Sequence, residues 1–262
     1  MKVGVITGSG SYDWPGLDDR RPREVRTSYG SAMVTEGRLG QVPVVHLSRH
    51  GAGHARLSHQ VTHRANLAAL REAEVDCLIS LTVCGAVDPS LQPGSLIVFD
   101  DLYFPSNRLP DGSPCTWYDE PGASGRGHWI LQQPYSEPVR QALLTAGQGG
   151  STSVRNGGCY GYVDGPRFNT RTEIAALAAA GVTAISQTAG PEVVLAGEAE
   201  LPMALLGFVT DYANGVVPEP EPVDALRERM AASGAIFAEV VERAVVGLDT
   251  VTPAGVVYRF DS

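Results

Sequence analysis

Short apolar runs alternate with amphipathic segments along the chain, and polar or glycine-rich turns follow several of these runs. An apolar run of about four to eight residues between turn signals is typical of a strand that is covered on both faces. Such runs predict strands at residues 3–7, 32–37, 42–47, 77–83, 95–99, 158–163, 183–188 and 202–212. Apolar positions spaced by three and four residues predict helices at residues 61–74, 138–146 and 170–180, from Gly190-Pro191 onward, and from Leu226 to Leu248.

This alternation of strands and helices predicts an α/β protein. Neither an internal repeat nor a linker interrupts the pattern, so we expect one domain over residues 1–262. Residues 14–30 are polar and are predicted to form turns. Residues 103–127 are rich in proline, glycine and serine, and we expect them to form a long functional or interface loop.

Candidate binding residues follow four of the predicted strands. In open α/β sheets, ligands bind beyond the carboxyl ends of the strands, so these segments are expected to meet. They are the glycine-rich loop at residues 7–10, the basic segment at 48–54, the small-residue turn at 82–85, and Gln187-Thr188 ahead of the Gly190-Pro191 helix start.

The residue types in these segments suit a bound phosphate. Gly8 and Gly10 allow the backbone to approach an anion closely. The Arg49 guanidinium can donate two parallel hydrogen bonds to two oxygens of one phosphate. The helix that begins near Pro191 directs its free N–H groups toward the turn before it, which is a common anion-binding arrangement. Asp211 ends an apolar strand, where burial can raise a carboxyl pKa and make the group a proton donor.

Each of these segments also has a less specific interpretation. The glycine-rich loop can be a plain tight turn, residues 48–54 a solvated loop, and Asp211 a helix cap or turn residue. His50/His54 and His59/His63 have the i, i+4 spacing of metal ligands, but no carboxylate or cysteine accompanies them in the same segment. No G-x-S-x-G turn follows a strand, which disfavours a serine hydrolase.

Composition narrows the class of partner. A formal net charge of −9 disfavours nucleic acid or an anionic membrane as a partner, because both attract basic surfaces. No apolar run approaches the ~20 residues of a membrane-spanning helix. The four cysteines show no paired spacing and the N-terminal apolar stretch is short, so we expect reduced thiols and a cytoplasmic location.

Six motifs together carry a resemblance to a known family. The chain resembles the trimeric purine nucleoside phosphorylases, and within them the 5′-methylthioadenosine phosphorylases, from residue 2 to about residue 230. Residues 165–171 (GPRFNTR) and 191–196 (PEVVLA) are the most specific blocks. The other motifs are Gly8-Ser9-Gly10, Arg49-His50 with His54, residues 82–85, and Thr210-Asp211-Tyr212.

The resemblance implies a fold and a reaction. The fold would be a central, mixed, twisted sheet, partly barrel-like and flanked by helices. The reaction would be phosphorolysis, in which phosphate attacks the anomeric carbon of a nucleoside and the base leaves. It implies no cofactor and no metal, with inorganic phosphate as co-substrate. The implied assembly is a homotrimer or a dimer of trimers.

The resemblance also implies roles for individual residues. Asp211 would hydrogen-bond purine nitrogen 7 and help to protonate it, and His54, the second catalytic candidate, would lie near the sugar and the phosphate. Phe168 would stack on the base, and His128 would reach the 5′ pocket of a neighbouring subunit. The implied phosphate ligands are Ser9, Arg49, His50, Thr82, the Val83 N–H and Thr188.

Near the implied base and sugar, the chain departs from the family pattern at three positions. Gln187 replaces a methionine that contacts the ribose, Asn169 replaces a serine near the base, and Ala213, followed by Asn214, replaces a second aspartate that reads an adenine amino group. The retained Asp211 favours a 6-aminopurine such as 5′-methylthioadenosine. The alternatives are phosphorolysis of a 6-oxopurine nucleoside (inosine or methylthioinosine), action on a modified nucleoside of a biosynthetic pathway, and nucleoside binding without turnover.

Overall fold

The computed structural model describes residues 1–14, 16–150 and 152–260. Over these residues the chain forms thirteen strands and five α-helices. The strands are β1 (Val3–Thr7), β2 (Asp18–Thr27), β3 (Gly30–Leu39), β4 (Val42–Ser48), β5 (Cys77–Ala86), β6 (Leu96–Val98), β7 (Asp101–Tyr103), β8 (Gly127–Ile130), β9 (Val154–Asn156), β10 (Cys159–Tyr162), β11 (Val182–Ser186), β12 (Met203–Tyr212) and β13 (Val256–Arg259). The helices are α1 (His63–Glu72), α2 (Glu137–Gln148), α3 (Arg171–Ala179), α4 (Ala189–Glu198) and α5 (Val223–Val246). No helix within these ranges is long and apolar enough to cross a membrane.

One mixed sheet organises the fold. Among the described residues it has eleven strands, in the order β2-β3-β4-β1-β5-β11-β10-β7, and β12, β6 and β9 extend it from a second edge of β5. Strand β5 is therefore shared, because it pairs in parallel with β1 and β12 and antiparallel with β11. The predicted α/β fold with a mixed central sheet flanked by helices is confirmed.

The sheet is covered on both faces, as the continuous apolar runs predict. Alternate residues of β5 point into different layers: Leu78 packs in one apolar cluster, while Ile79 and Leu81 pack in the other. Helices α1 and α4 contribute Leu70 and Val193 to the first cluster. Helices α2 and α5 complete the second cluster with the buried side chains of Leu143, Phe237, Val240 and Val241.

The prediction of turns over residues 14–30 was wrong. Strand β2 fills much of this segment and pairs antiparallel with β3. Eight of its ten residues are exposed, and charged side chains dominate it, so it has no apolar alternation that a sequence pattern could detect. Charges on an outermost strand discourage pairing with other chains.

Strand β5 also differs from the sequence prediction. We expected it to end at residue 83, followed by a turn, but the strand continues to Ala86. The extension is held by β12, whose Phe208 and Asp211 pair with Val83 and Gly85. The small-residue motif at residues 82–85 is thus part of a strand, and a β-bulge in β12 just before Asp211 lies beside it.

Candidate functional site

A cavity of about 250 Å³ lies where β1, β4 and β12 end, beside the second half of β5. Strand β11 approaches β5 from the opposite direction, so its last residues reach the same place by antiparallel pairing. All the predicted site residues except His128 line this cavity. We call the buried part around Arg49, Thr82 and Thr188 the inner end, and the part around Phe168, Asn169 and Asn214 the outer end.

A buried ion pair supports the inner end. Arg49 and Glu192 are each 1% exposed, and the Arg49 Nε and Nη2 atoms donate to the two Glu192 carboxylate oxygens at 2.7 and 2.9 Å. Ser80 Oγ donates to Glu192 Oε2 at 2.6 Å, and Arg49 Nη1 donates to the Leu81 carbonyl at 2.7 Å. We expected the Arg49 guanidinium to bind phosphate through two N–H groups at once. In this structure the edge formed by Nε and Nη2 is bound to Glu192 instead.

The two partners fix each other's charge and position. Burial alone raises the pKa of Glu192, but the charge and hydrogen bonds of Arg49, together with smaller contributions from His63 and Ser80, leave the pKa below its ordinary value. Gly8 in the loop after β1 allows this arrangement, because a Cβ there would lie 2.4 Å from Arg49 Nη1. The glycine-rich loop is thus shaped by its contact with Arg49.

Two stacked histidines form a second wall of the inner end. The rings of His50 and His54 lie 4.1 Å apart and nearly parallel. His50 Nδ1 lies 2.8 Å from the Arg56 carbonyl, which can only accept, so Nδ1 carries the proton. Burial and then the nearby Arg49 charge lower the pKa of His50 to about 4, so the ring is neutral at pH 7. His54 Nδ1 is hydrogen-bonded to the Tyr12 hydroxyl at 2.8 Å.

The remaining predicted inner residues present hydrogen-bonding groups to the cavity. Thr82 and Thr188 are buried, while Ser9 and Val83 are half-buried. Thr188 directly precedes helix α4, whose first residues are Ala189 and Gly190. Hydroxyl groups, a strand and a helix N-terminus therefore meet at one place, which suits an oxyanion.

The histidine pairs with i, i+4 spacing are divided between different surroundings. His59 is exposed, whereas His63 is buried and has no hydrogen-bond partner within the described residues. Throughout residues 1–14, 16–150 and 152–260, no three His, Cys, Asp or Glu side chains come together as metal ligands would.

Asp211 also lines the cavity. Its Oδ1 accepts a hydrogen bond from Thr210 Oγ1 at 2.7 Å. Burial is the main cause that raises the pKa of Asp211, with a further contribution from Glu221. Its Oδ2 faces Gly85, where an added Cβ would lie 3.7 Å away. A carboxyl with this surrounding can hold a proton and donate it into the cavity.

The outer end is open to solvent. The Phe168 side chain lines the cavity and is 62% exposed. Asn214 is exposed and its Nδ2 donates to the Asn169 carbonyl at 2.7 Å. Ala213, which is buried, and Asn214 follow Asp211 along the same segment.

Gln187 connects two segments of the cavity wall, those of Ser58 and Arg167, by hydrogen bonds. Its Oε1 accepts from Ser58 Oγ at 2.9 Å, and its Nε2 donates to the Arg167 carbonyl at 3.0 Å. The side chain also fits closely against Gly165, since a Cβ there would lie 2.1 Å from Oε1. Gln187 therefore positions the segment that carries Phe168.

His128 does not line this cavity. It lies on β8, which pairs with β13 in a separate two-stranded sheet. The side chain is exposed and packs edge-to-face against Phe260 at 5.3 Å.

Sequence reasoning missed the residues that hold the cavity together. Glu192 is a carboxylate in an otherwise apolar segment, and that was the available signal for a buried charge pair. Ser186 is a hydroxyl at the end of a predicted strand, like Thr82, and could have been included by the same argument. Tyr160 lies within a buried strand and gives no such signal.

Comparison with known proteins identifies similar chains. The family model described as "Phosphorylase superfamily" matches residues 2–246. The chain is 34% identical to the 6-oxopurine nucleoside phosphorylase of Pyrococcus furiosus over 220 residues, which are 82% of this chain and 81% of that relative. It is 38% identical to the S-methyl-5′-thioadenosine phosphorylase of Mycobacterium tuberculosis over 216 residues, which are 82% of this chain and 76% of that relative.

A solved structure is similar over nearly the whole chain. The methylthioadenosine phosphorylase of Schistosoma mansoni, in complex with adenine, superposes with a TM-score of 0.86 at 29% identity. The superposition covers 95% of this chain and 93% of that one.

Proposed function

The chain belongs to the phosphorylase superfamily, and from this premise we propose that it catalyses the phosphorolysis of a purine nucleoside. Phosphate attacks the anomeric carbon, the bond from that carbon to the base breaks, and the products are the free base and the sugar 1-phosphate. The enzyme is a pentosyltransferase. Inorganic phosphate is the co-substrate, and the reaction uses no other cofactor.

One observation carries this proposal: a buried carboxyl with a raised pKa lines the same cavity as two threonine hydroxyls at a helix N-terminus. The raised pKa of Asp211 allows it to protonate purine nitrogen 7 as the base leaves. Thr82, Thr188 and the start of α4 hold the phosphate on the opposite side of the sugar. Such positioning favours a transition state in which the sugar carries positive charge.

The preferred substrate is 5′-methylthioadenosine or a similar 5′-modified adenine nucleoside. Asp211 suits a 6-aminopurine, and the similar structure from Schistosoma mansoni is a complex with adenine. A 6-oxopurine nucleoside is the second candidate, because Ala213 supplies no carboxylate for an amino group and the Pyrococcus furiosus relative is named for 6-oxopurines. Initial rates on nucleosides that differ at position 6 and at the 5′ carbon separate the two.

The assembly is a homotrimer, or a dimer of trimers, in which His128 reaches the 5′ pocket of a neighbouring copy. Support comes from one face of the β8–β13 sheet, where Ile130, Val256, Tyr258 and Phe260 are all more than half exposed. Light scattering after size exclusion tests the assembly, and a monomer at micromolar concentration would contradict it.

Free, buried thiols at Cys77, Cys84 and Cys115 support a cytoplasmic location.

The decisive experiment compares base release with and without phosphate. Purified protein is incubated with 5′-methylthioadenosine, and free adenine is resolved by liquid chromatography while phosphorus NMR follows the sugar 1-phosphate. We expect both products only when phosphate is present. Equal release of adenine without phosphate would indicate a hydrolase. Thermal stabilisation by the nucleoside without any product would indicate a binding protein.

A further inference from the structure

A chain of hydrogen bonds runs from the start of helix α4 to the inner end of the cavity. The Ala189 N–H donates to Tyr160 Oη at 3.1 Å, Tyr160 Oη lies 2.8 Å from Ser186 Oγ, and Ser186 Oγ lies 2.7 Å from Thr82 Oγ1. We propose that Tyr160 and Ser186 are positioning residues that commit the Thr82 hydroxyl to donate to the attacking phosphate. This inference rests on the proposed function.

The direction of this series of hydrogen bonds follows from its first donor, the Ala189 N–H. A backbone N–H can only donate, so Tyr160 Oη must accept from Ala189. Tyr160 is fully buried, and among the described residues Ser186 Oγ is the remaining hydrogen-bond partner of its hydroxyl. Its single proton therefore faces Ser186. Because the Thr82 hydroxyl donates to the Val83 carbonyl, the hydrogen bond between Ser186 and Thr82 uses the Ser186 proton.

Thr82 is the last member of this series of hydrogen bonds, and like Ser186 it lines the cavity. Because its Oγ1 accepts from Ser186, its own proton is free to point elsewhere. Thr82 Oγ1 donates this proton to the Val83 carbonyl at 3.1 Å. An anion at the inner end accepts this proton instead.

The surroundings strengthen this arrangement. Helix α4 has ten residues, and its N-terminal partial positive charge polarises the Tyr160 hydroxyl through Ala189. Burial raises the pKa of Tyr160, so the phenol keeps its proton at neutral pH. Successive hydrogen bonds polarise one another in a low dielectric, which makes Thr82 a stronger donor than an isolated hydroxyl.

The test compares two buried tyrosines. Tyr160→Phe removes the relay, whereas Tyr135→Phe is a matched control because Tyr135 is 2% exposed and its hydroxyl has no partner among the described residues. Calorimetric titration with inorganic phosphate and with sulfate, which only accepts hydrogen bonds at neutral pH, measures anion affinity without turnover. Steady-state rates then give KM for phosphate, KM for the nucleoside, and kcat.

We expect Tyr160→Phe to weaken phosphate and sulfate binding about three- to tenfold, the range for one hydrogen bond. KM for phosphate should rise by the same factor, while KM for the nucleoside stays within about twofold. Tyr135→Phe should change none of these values. If Tyr160→Phe does not fold, Ser186→Ala interrupts the same chain at a half-buried position and should give the same pattern.

Equal anion affinity in Tyr160→Phe and the wild type would overturn the inference. So would an equal loss in the Tyr135→Phe control, since that would indicate a general packing effect. If the wild type binds phosphate but converts no nucleoside, the proposed function fails while the binding data still decide the role of Tyr160.

Discussion

The two ends of the cavity are built in opposite ways. At the inner end, the supporting side chains of Arg49, Glu192 and Tyr160 are no more than 1% exposed, and each is hydrogen-bonded to other protein groups. At the outer end, Phe168 is 62% exposed and Asn214 is also exposed. The inner end is therefore ordered before any ligand arrives, whereas the outer end offers side chains that a ligand can still organise.

Because of this difference, we expect the two ends to contribute differently to folding stability and to substrate recognition. Substitutions that support the inner end should cost folding free energy, because they disturb buried charges and hydrogen bonds. Substitutions toward the outer end should change substrate use and leave stability nearly unchanged. Four variants test this separation.

The largest expected effect is that of Asp211→Asn. Loss of the proton donor should lower kcat/KM for a 6-aminopurine nucleoside by about 10²- to 10⁴-fold while the unfolding free energy changes little. In the wild type, kcat/KM should also fall as pH rises through the raised pKa of Asp211, because the carboxyl must be protonated to act. Asp164→Asn, at an exposed carboxyl that does not line the cavity, is the control. An unchanged kcat/KM in Asp211→Asn would remove Asp211 from the mechanism.

Glu192→Gln should cost the most stability. Removing one partner of a buried ion pair leaves the Arg49 charge unpaired, at a cost of about 3–5 kcal/mol in unfolding free energy. Urea denaturation measures this cost. Glu198→Gln, at the other end of helix α4, is the control, because burial raises the pKa of Glu198 and its neutral form is easier to accommodate. Similar costs for the two variants would contradict a special role for the Arg49–Glu192 pair.

Acid should destabilise the protein through its buried histidines. Burial is the main cause that lowers the pKa values of His46, His50 and His63 from 6.5 to about 4. At pH values between about 4 and 6.5, the unfolded chain binds protons that the folded protein does not. The free energy of unfolding therefore decreases as pH falls below 6.5. Each histidine contributes about 2 kcal/mol of this loss between pH 7 and pH 5.

His63→Phe isolates one share of this pH dependence. His63 lies 3.9 Å from Glu192 and lines no part of the cavity, so its replacement should reduce the pH dependence of unfolding without removing anion binding. Urea midpoints at pH 5 and pH 7 provide the measurement. An unchanged slope would show that His63 takes up as many protons in the folded protein as in the unfolded chain between pH 7 and pH 5.

Gln187→Met should have the smallest effect. The variant loses the hydrogen bonds to Ser58 and Arg167, so the segment that carries Phe168 is held less firmly. We expect KM for the nucleoside to change about three- to tenfold, with KM for phosphate unchanged. Gln141→Met, on the exposed side of helix α2, is the control. An equal change in both KM values would show that the two ends are coupled.

The sequence predicted what local patterns encode. Buried strands such as β1, β4 and β12 were predicted because apolar runs mark them. The residues at their ends were chosen as candidates because ligands bind beyond the carboxyl ends of strands in open α/β sheets. Strand β2 was missed because a charged outer strand has no apolar alternation. The length of β5 depends on pairing with β12, which no local pattern of its own residues reveals.

The supporting contacts of the inner end could not be predicted for the same reason. Arg49 and Glu192 are 143 residues apart in the chain, and Thr82 and Ser186 are 104 residues apart. Such partners are brought together only by the packing of the whole sheet. Their residue types alone do not specify which of many buried partners each will meet.

The position of Thr82 and Val83 within β5 bears on how such a chain can diverge. This strand has neighbours along both edges and apolar layers on both faces, so most replacements in it would disturb the core and be eliminated by selection. Phe168 and Asn214 are exposed, so replacements there do not disturb the core. Descendants of one ancestor can therefore exchange one base for another while they inherit the same bond-breaking step unaltered.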